Sequence, residues 1–236
     1  MPLQHRPRPI HLRPATDLAE RVLLPGDPHR ALAVAQHLLD GPKMFNHSRG
    51  LWGYYGVAPD GEALTIQATG MGGPSAAIVV EELIALGARS LVRIGTCAAL
   101  VDELALGDLL AAESVLPADG ASAALGANGT LTPDPGLLAR LEAAGARPAT
   151  VVSSDLFYDP REGQVGAWVE RGAVAVEMEA AAILRVAARR GVEAACVLGV
   201  SDVPGADGAR RAGAEQLESI GLRVGEAGYA ALARSR

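Results

Sequence analysis

Short apolar runs, each closed by glycine or proline and followed by a helical pattern, recur along the chain. Val22-Leu23-Leu24 stops at Pro25-Gly26-Asp27-Pro28, and helical spacing begins near Arg30. Leu64 to Thr69 turns through Gly70-Met71-Gly72-Gly73-Pro74 into an apolar helix, Ser75 to Leu86. Pro74 suits the first turn of that helix, where its missing N–H has no partner to lose. A third strand, Ser90 to Ile94, is expected to break at Gly95-Thr96. Further strands are predicted at Leu109–Val115, Thr150–Ser153, Val174–Val176 and Ala194–Val200, and helices over Leu137–Ala144, Glu162–Arg171, Glu179–Arg190 and Ala214–Leu232. Gly120–Thr132 reads as a surface loop or a hairpin excursion. Strands alternating with helices predict one α/β domain over residues 1–236, with a mixed, largely parallel central sheet flanked by helices. Residues 1–20, rich in proline, form an irregular N-terminal arm carrying His5 and His11.

Composition narrows the picture. Apolar residues make up 49% of the 236 and aromatic residues only 3%, so Ala, Val, Leu and Ile must fill the core. Helices against strands suit that better than an all-β sandwich. The formal net charge of -6 argues against a nucleic-acid partner. No run of ~18 apolar residues predicts a membrane span, and no apolar segment follows Arg6 and Arg8 as a signal peptide requires. Cys97 and Cys196 lie in separate apolar stretches, which predicts neither a disulfide framework nor a metal site. A reducing cytoplasm is the expected location. None of the glycine turns has the G-x-G-x-x-G spacing of a dinucleotide fold.

The candidate chemistry sits in the turns after strands. Gly26-Asp27-Pro28-His29-Arg30 places backbone N–H groups and a guanidinium at a helix start, where an anion is favoured. Arg93-Ile94-Gly95-Thr96 offers an arginine late in a strand, then a glycine and a hydroxyl. An arginine within Leu91-Val92-Arg93-Ile94 is costly to bury unless an anion or carboxylate pairs with it, so a structural ion pair stays open beside a ligand. Glu177-Met178-Glu179 opens a helix, where carboxylates are also favoured by the dipole alone.

Taken in order, Pro25-Gly26-Asp27-Pro28-His29-Arg30, Arg49-Gly50, Gly70-Met71-Gly72, Arg93-Ile94-Gly95-Thr96, Ser154-Asp155-Leu156-Phe157-Tyr158, Val176-Glu177-Met178-Glu179 and Ser201-Asp202 resemble the purine nucleoside and uridine phosphorylase family. The resemblance runs from about His11 to Glu226. It implies phosphorolysis of the N-glycosidic bond of a nucleoside, giving free base and (deoxy)ribose 1-phosphate. Inorganic phosphate is then a co-substrate, and no cofactor or metal is implied. The resemblance further implies a homo-oligomer, a hexamer built as a trimer of dimers.

By the same resemblance, phosphate sits among Gly26, Arg30, Arg93 and Thr96, with Arg49 supplied by a neighbouring subunit. Glu179 and Met178 hold the ribose, and His11 reaches the 5′-hydroxyl of a neighbour's site. Cys97, Phe157, Val176, Glu177 and Ser201 line the base. Asp202 acts as general acid to the departing base, assisted by Arg211 or Arg210. To serve as an acid it must carry a proton, which a partly desolvated pocket favours.

Asp202 and Val176-Glu177-Met178-Glu179 favour a purine. The pyrimidine branch carries Gln-x-Arg after the Phe-Tyr pair, whereas here Arg161 precedes Gln164. Thr96 points the other way, so uridine stays open. A methylthioadenosine-type nucleosidase shares the Met-Glu and Ser-Asp pairs but, using water, has no need for Arg30, Arg49 and Arg93. A non-catalytic nucleoside-binding protein needs no acid at Asp202.

Overall fold

The computed structural model describes residues 8–205 and 208–233. His5 and Arg6 of the arm therefore lie outside the described residues.

In chain order the first elements are β1 (Arg21–Pro25), α1 (Pro28–Leu38), β2 (Asp40–Asn46), β3 (Gly53–Val57), β4 (Ala63–Gln67), α2 (Gly73–Leu86) and β5 (Ser90–Ala99). Then come β6 (Leu109–Ala118), α3 (Gly120–Ala124), α4 (Pro135–Ala143), β7 (Arg147–Ser154) and α5 (Gln164–Val169). The chain continues through β8 (Ala175–Glu177), α6 (Ala180–Arg190), β9 (Glu193–Val203), β10 (Arg210–Arg211) and α7 (Ala214–Leu232). Asp27 caps α1 by accepting the His29 N–H at 2.9 Å, and Pro28 supplies a fixed φ where no donor is needed.

One sheet holds every strand, in the order β10-β9-β6-β7-β8-β5-β1-β4-β3-β2, with β9 pairing to β5 as well. The second pairing closes β5, β8, β7, β6 and β9 into a ring, from which β1, β4, β3 and β2 extend as a skirt. Parallel pairings join β1 to β4 and β5, β5 to β9, and β7 to β6 and β8; the remaining pairings are antiparallel. The sheet is thus mixed in even measure rather than largely parallel, because closing the ring and folding back the β2–β4 meander both require antiparallel neighbours.

Helices cover both faces. On one, Val79 and Leu83 of α2 and Ile183 of α6 pack on Leu91 and Leu110. On the other, Val34 of α1, Leu141 of α4 and Val224 of α7 pack on Leu23, Val92 and Ile94. Strand alternation puts Arg93 on the α2/α6 side with Leu91 and Cys97, which is why a charge ends up in the core. Helix α7 lies close because it presents glycine inward: a Cβ on Gly228 would come 2.5 Å from Ile94 Cγ2, and one on Gly225 would come 2.8 Å from Val34 Cγ1.

Two expectations change, and two strands arise where none was expected. Strand β5 does not stop at Gly95 but runs on to Ala99, since β9 pairs with it as far as Ala98 and β8 takes up its far edge. Strands β2 and β3 carry no sequence signal: Asp40-Gly41-Pro42-Lys43 is too polar, and Gly53 and Gly56 interrupt the alternation. The Gly120–Thr132 excursion begins as α3, capped by Asp119, and returns through a bridge between Leu131 and Val115.

Candidate active site

Strand β5 is the axis of the site. Its penultimate residue Ala98 pairs with Val176 of β8 on one side and with Asp202 of β9 on the other. That register brings the Glu177 and Asp202 segments to one end of the ring, and the chain after β8, antiparallel to β5, carries Glu177 and Glu179 back to Arg93.

Arg93 is 4% exposed and lies between two carboxylates. Its Nε donates to Glu177 Oε2 at 2.9 Å, and its Nη2 contacts Glu179 Oε2. Burial pulls the guanidinium down, but Glu179 and Glu177 outweigh it and hold Arg93 above its ordinary value. The structural ion pair that the sequence left open is real. It does not use up the side chain, however: Nη1 is buried without a hydrogen-bond partner. That nitrogen faces the β1–α1 turn, 3.9 Å from where a Cβ on Gly26 would stand.

Glu179 is held at its other oxygen by the Gly72 N–H at 2.5 Å. Burial raises its carboxyl above the ordinary range, Arg93 pulls it back and Glu177 pushes it up again. Arg30 is lowered by burial and by the like charge of Arg93, so it too lies near this cluster. Its stem packs over Gly221 of α7, where an added Cβ would stand 3.4 Å from Arg30 Cγ and Nε. Arg30 follows the glycine turn that Arg93 Nη1 faces, and neither Arg93 Nη1 nor the Arg30 head has a hydrogen bond among the described residues.

Glu177 differs from its expected place against the base. Its carboxylate accepts from Arg93, from the Ser153 hydroxyl and from the N–H groups of Glu179 (2.8 Å) and Ala180 (2.9 and 3.0 Å) at the start of α6. A side chain so saturated has nothing left for a ligand; its work is to seat Arg93 and Glu179. Ser153 extends the support by accepting the Ala181 N–H at 2.9 Å. The Cys97 side chain also departs from expectation. It is buried in the core, its Sγ is 3.8 Å from Gly199 O, and burial pushes its thiol well up.

The other end is built by the β9–β10 hairpin, which sets Arg211 opposite Asp202 in register. Arg211 Nε donates to Asp202 Oδ1 at 2.5 Å, and Ser201 Oγ lies 2.7 Å from Oδ2 and 3.2 Å from Cys97 O. Of the two arginines left open, Arg211 is the one that meets Asp202. Its guanidinium also lies over the Phe157 ring, 5.5 Å from the centroid, with Tyr158 edge-on to Phe157 at 4.9 Å. The Asp202 partnership raises Arg211 above its ordinary value. Thr96, Val176 and Met178 are half-buried at the ends of β5 and β8.

Two expected residues do not join this cluster within the chain. Arg49 is exposed in the Ser48–Gly50 turn with φ 58°, and His11 is bound to Glu82 on α2. Glu82, Ser153 and Asn46 carry roles the sequence reading missed. Glu82 had a signal, since it shares the apolar stripe of α2 with Val79 and Leu83; Ser153 had only its place in the apolar run Val151-Val152. Among the described residues, no group of three or more His, Cys, Asp or Glu side chains is arranged to hold a metal ion. No helix among them is long and apolar enough to cross a membrane.

The sequence profile of the phosphorylase superfamily matches residues 20–234. A DeoD-type purine nucleoside phosphorylase of Alkaliphilus metalliredigens is 37% identical over 195 residues, covering 79% of this chain and 83% of its own. Another, from Jannaschia sp., is 38% identical over 203 residues, covering 82% and 86%. The structure is similar to a uridine phosphorylase of Vibrio fischeri solved with 6-hydroxy-1-naphthoic acid, at a TM-score of 0.80 and 26% identity, covering 91% and 90% of the two chains. With a profile spanning nearly its whole length and relatives at this identity, the chain belongs to the phosphorylase superfamily.

Proposed function

We propose that this protein is a nucleoside phosphorylase, a pentosyltransferase, with a purine nucleoside as its favoured substrate. The observation that carries the reading is the buried, unpartnered Nη1 of Arg93 facing the Gly26 turn. Glu177 and Glu179 fix the Arg93 guanidinium and Arg30 offsets the second carboxylate, so the free donor is preorganised for an incoming oxyanion. Gly26 backbone, Arg30 and Thr96 complete this subunit's share of the phosphate site, and Arg49 comes from a neighbour.

The reaction follows from charge. As the C1′–N bond breaks, its electron pair leaves with the base and the ribose becomes cationic. Phosphate stabilises that cation and then bonds C1′ through one oxygen, giving the sugar 1-phosphate. Glu179, fixed by Arg93 and the Gly72 N–H, accepts hydrogen bonds from the ribose hydroxyls, with Met178 packed against the sugar. Asp202 enters the step as the carboxylic acid and passes its proton to purine N7, and the Arg211 guanidinium and the Ser201 hydroxyl then hold the carboxylate left behind. Phe157 and Val176 flank the base, and Cys97 contributes its backbone. His11 of a neighbouring subunit meets the 5′-hydroxyl, so the working form is a homo-oligomer, a hexamer of three dimers. Phosphate is the co-substrate and no cofactor takes part. The unpaired buried thiols of Cys97 and Cys196 support a reducing, cytoplasmic setting.

Uridine is the second reading, favoured by the likeness to the Vibrio fischeri enzyme. Incubating the protein with inosine, adenosine, guanosine and uridine, with and without phosphate, tests both. The expected result is purine release only with phosphate, together with a sugar 1-phosphate. Equal release without phosphate, giving free ribose, means a hydrolase; cleavage of uridine alone moves the chain to the pyrimidine branch.

A further inference from the structure

His11 and Arg49 are far apart in sequence yet share one anchor. Asn46, the last residue of β2, is fully buried. Its Oδ1 accepts the Arg13 N–H at 2.9 Å and the Ser48 N–H at 3.4 Å, while its Nδ2 donates to Leu51 O at 2.6 Å. The Ser48 and Leu51 bonds straddle Arg49; the Arg13 bond holds the arm two residues beyond His11. Gln67 Nε2 reinforces the same Leu51 carbonyl at 3.0 Å, and the Ala15 N–H reinforces the arm by donating to Phe45 O at 2.8 Å.

The arm has a second clamp. The Glu82 carboxylate accepts the N–H groups of Ile10 (3.0 Å), His11 (3.0 and 3.1 Å) and Leu12 (2.7 Å), and its Oε1 takes His11 Nδ1 at 2.6 Å. With Nδ1 committed to the Glu82 carboxylate, Nε2 is the ring nitrogen left for a ligand. The ring is 28% exposed.

Tying off backbone groups where the arm meets the sheet would account for Asn46 alone. It does not account for Arg49, the one non-glycine described residue with positive φ. A left-handed arginine is strained, and this one makes no hydrogen bond, ion pair or ring contact among the described residues to offset it. The same bonds that hold that strained, outward-facing cation also fix the arm of the outward-facing imidazole.

We propose that Asn46 and Glu82 are positioning residues that join Arg49 and His11 into a single rigid donor unit, presented as one piece to the neighbouring subunit's phosphate and ribose. This rests on the reading that those two residues complete a neighbour's site. Neither Asn46 nor Glu82 touches substrate; each acts through the residue it holds.

Kinetics and subunit mixing test it. Asn46→Asp keeps the shape and the acceptor for Arg13 but sets a carboxylate oxygen against Leu51 O. The phosphate KM should rise about tenfold with kcat nearly kept, as for a lost binding contact. Asn46→Ser serves as the second variant, with folding of both checked by circular dichroism. The Asn46 variants should raise the nucleoside KM as well, because the same side chain holds the arm, whereas Glu82→Gln, which frees only the arm, should raise the nucleoside KM and leave the phosphate KM alone. Each Asn46 variant is then co-assembled with Arg93→Ala, whose pocket is disabled but whose donor unit is whole. Random pairing leaves about a quarter of the pockets complete, with wild-type phosphate KM, because each symmetric interface exchanges donors both ways. Arg49→Ala mixed with Arg93→Ala is the reference. Rescue of Arg49→Ala without rescue of the Asn46 variants overturns the proposal while sparing the shared site. Failure of both mixtures overturns the shared site itself. Unchanged phosphate KM in folded Asn46 variants also overturns the proposal.

Discussion

At the end proposed to hold phosphate, Arg93, Glu177 and Glu179 are each 4% exposed and bonded to one another, to Ser153 and to the start of α6. At the end proposed to hold the base, Phe157 is 58% exposed and Arg211 reaches Asp202 from a two-residue strand at the rim. The first region is part of the core and cannot change without the fold noticing. The second is laid on the fold and can change alone. Phosphate is the same ion for every nucleoside, so its site gains from rigidity; bases differ, and their site gains from a wall that yields.

The sharpest way to break this contrast is Arg93→Ala. It should abolish measurable phosphate-dependent cleavage and, by leaving two buried carboxylates without their cation, destabilise the fold by about 3–5 kcal/mol. Urea denaturation beside kcat/KM for phosphate checks both. A variant as stable as the wild type would mean the phosphate end is not embedded in the core.

Asp202→Asn should separate function from folding. Loss of general-acid help costs ~10²–10⁴-fold in rate, while an ion pair at the rim should shift stability by less than about 1 kcal/mol. The rate loss should be greatest for adenosine and smaller for inosine and guanosine, which delocalise charge onto O6; any uridine turnover should hardly change. Measuring kcat/KM for all four nucleosides decides it, and normal adenosine cleavage by the variant would remove Asp202 from the chemistry.

The smallest effect tests the arm. Burial pushes Glu82 up, but the Leu12 N–H, the His11 ring and the N–H groups of Ile10 and His11 prevail and hold it below its ordinary value. A depressed carboxylate stabilises the fold above its unfolded value, about 4.3, and loses that contribution as pH falls through the lower folded value. Limited proteolysis of the arm should therefore be constant from pH 7 to about 5 and quicken only below about 4.3. Glu82→Gln should show quick cleavage at every pH, with no acid transition.

What the sequence revealed follows the same division. Helix α7 is legible from Ala214 to Leu232 because nineteen residues of helical spacing leave a strong periodic trace. Arg93 is legible because a charge inside an apolar strand demands a partner. Strands β2 and β3 are not legible, since β3 is held by pairing with β4 and β2 by pairing with β3 rather than by their own residues. Nor is Asn46, because a buried carboxamide at a strand end looks like any turn asparagine until its partners are known. Glu177 is legible only as a neighbour of Met178 and Glu179; that its lone pairs are all spoken for is visible only in three dimensions.

The inward glycines of α7 bear on how such an enzyme can diverge. Any side chain at Gly225 or Gly228 would drive the helix off Val34 and Ile94. Mutational drift on that side is closed to one-step change, whereas the hairpin carrying Arg211 can lengthen, shorten or exchange residues without disturbing a packed layer. Natural variation in base preference should therefore be written into the hairpin and the Phe157 loop, and homologues with altered selectivity should keep the small residues of α7 unchanged.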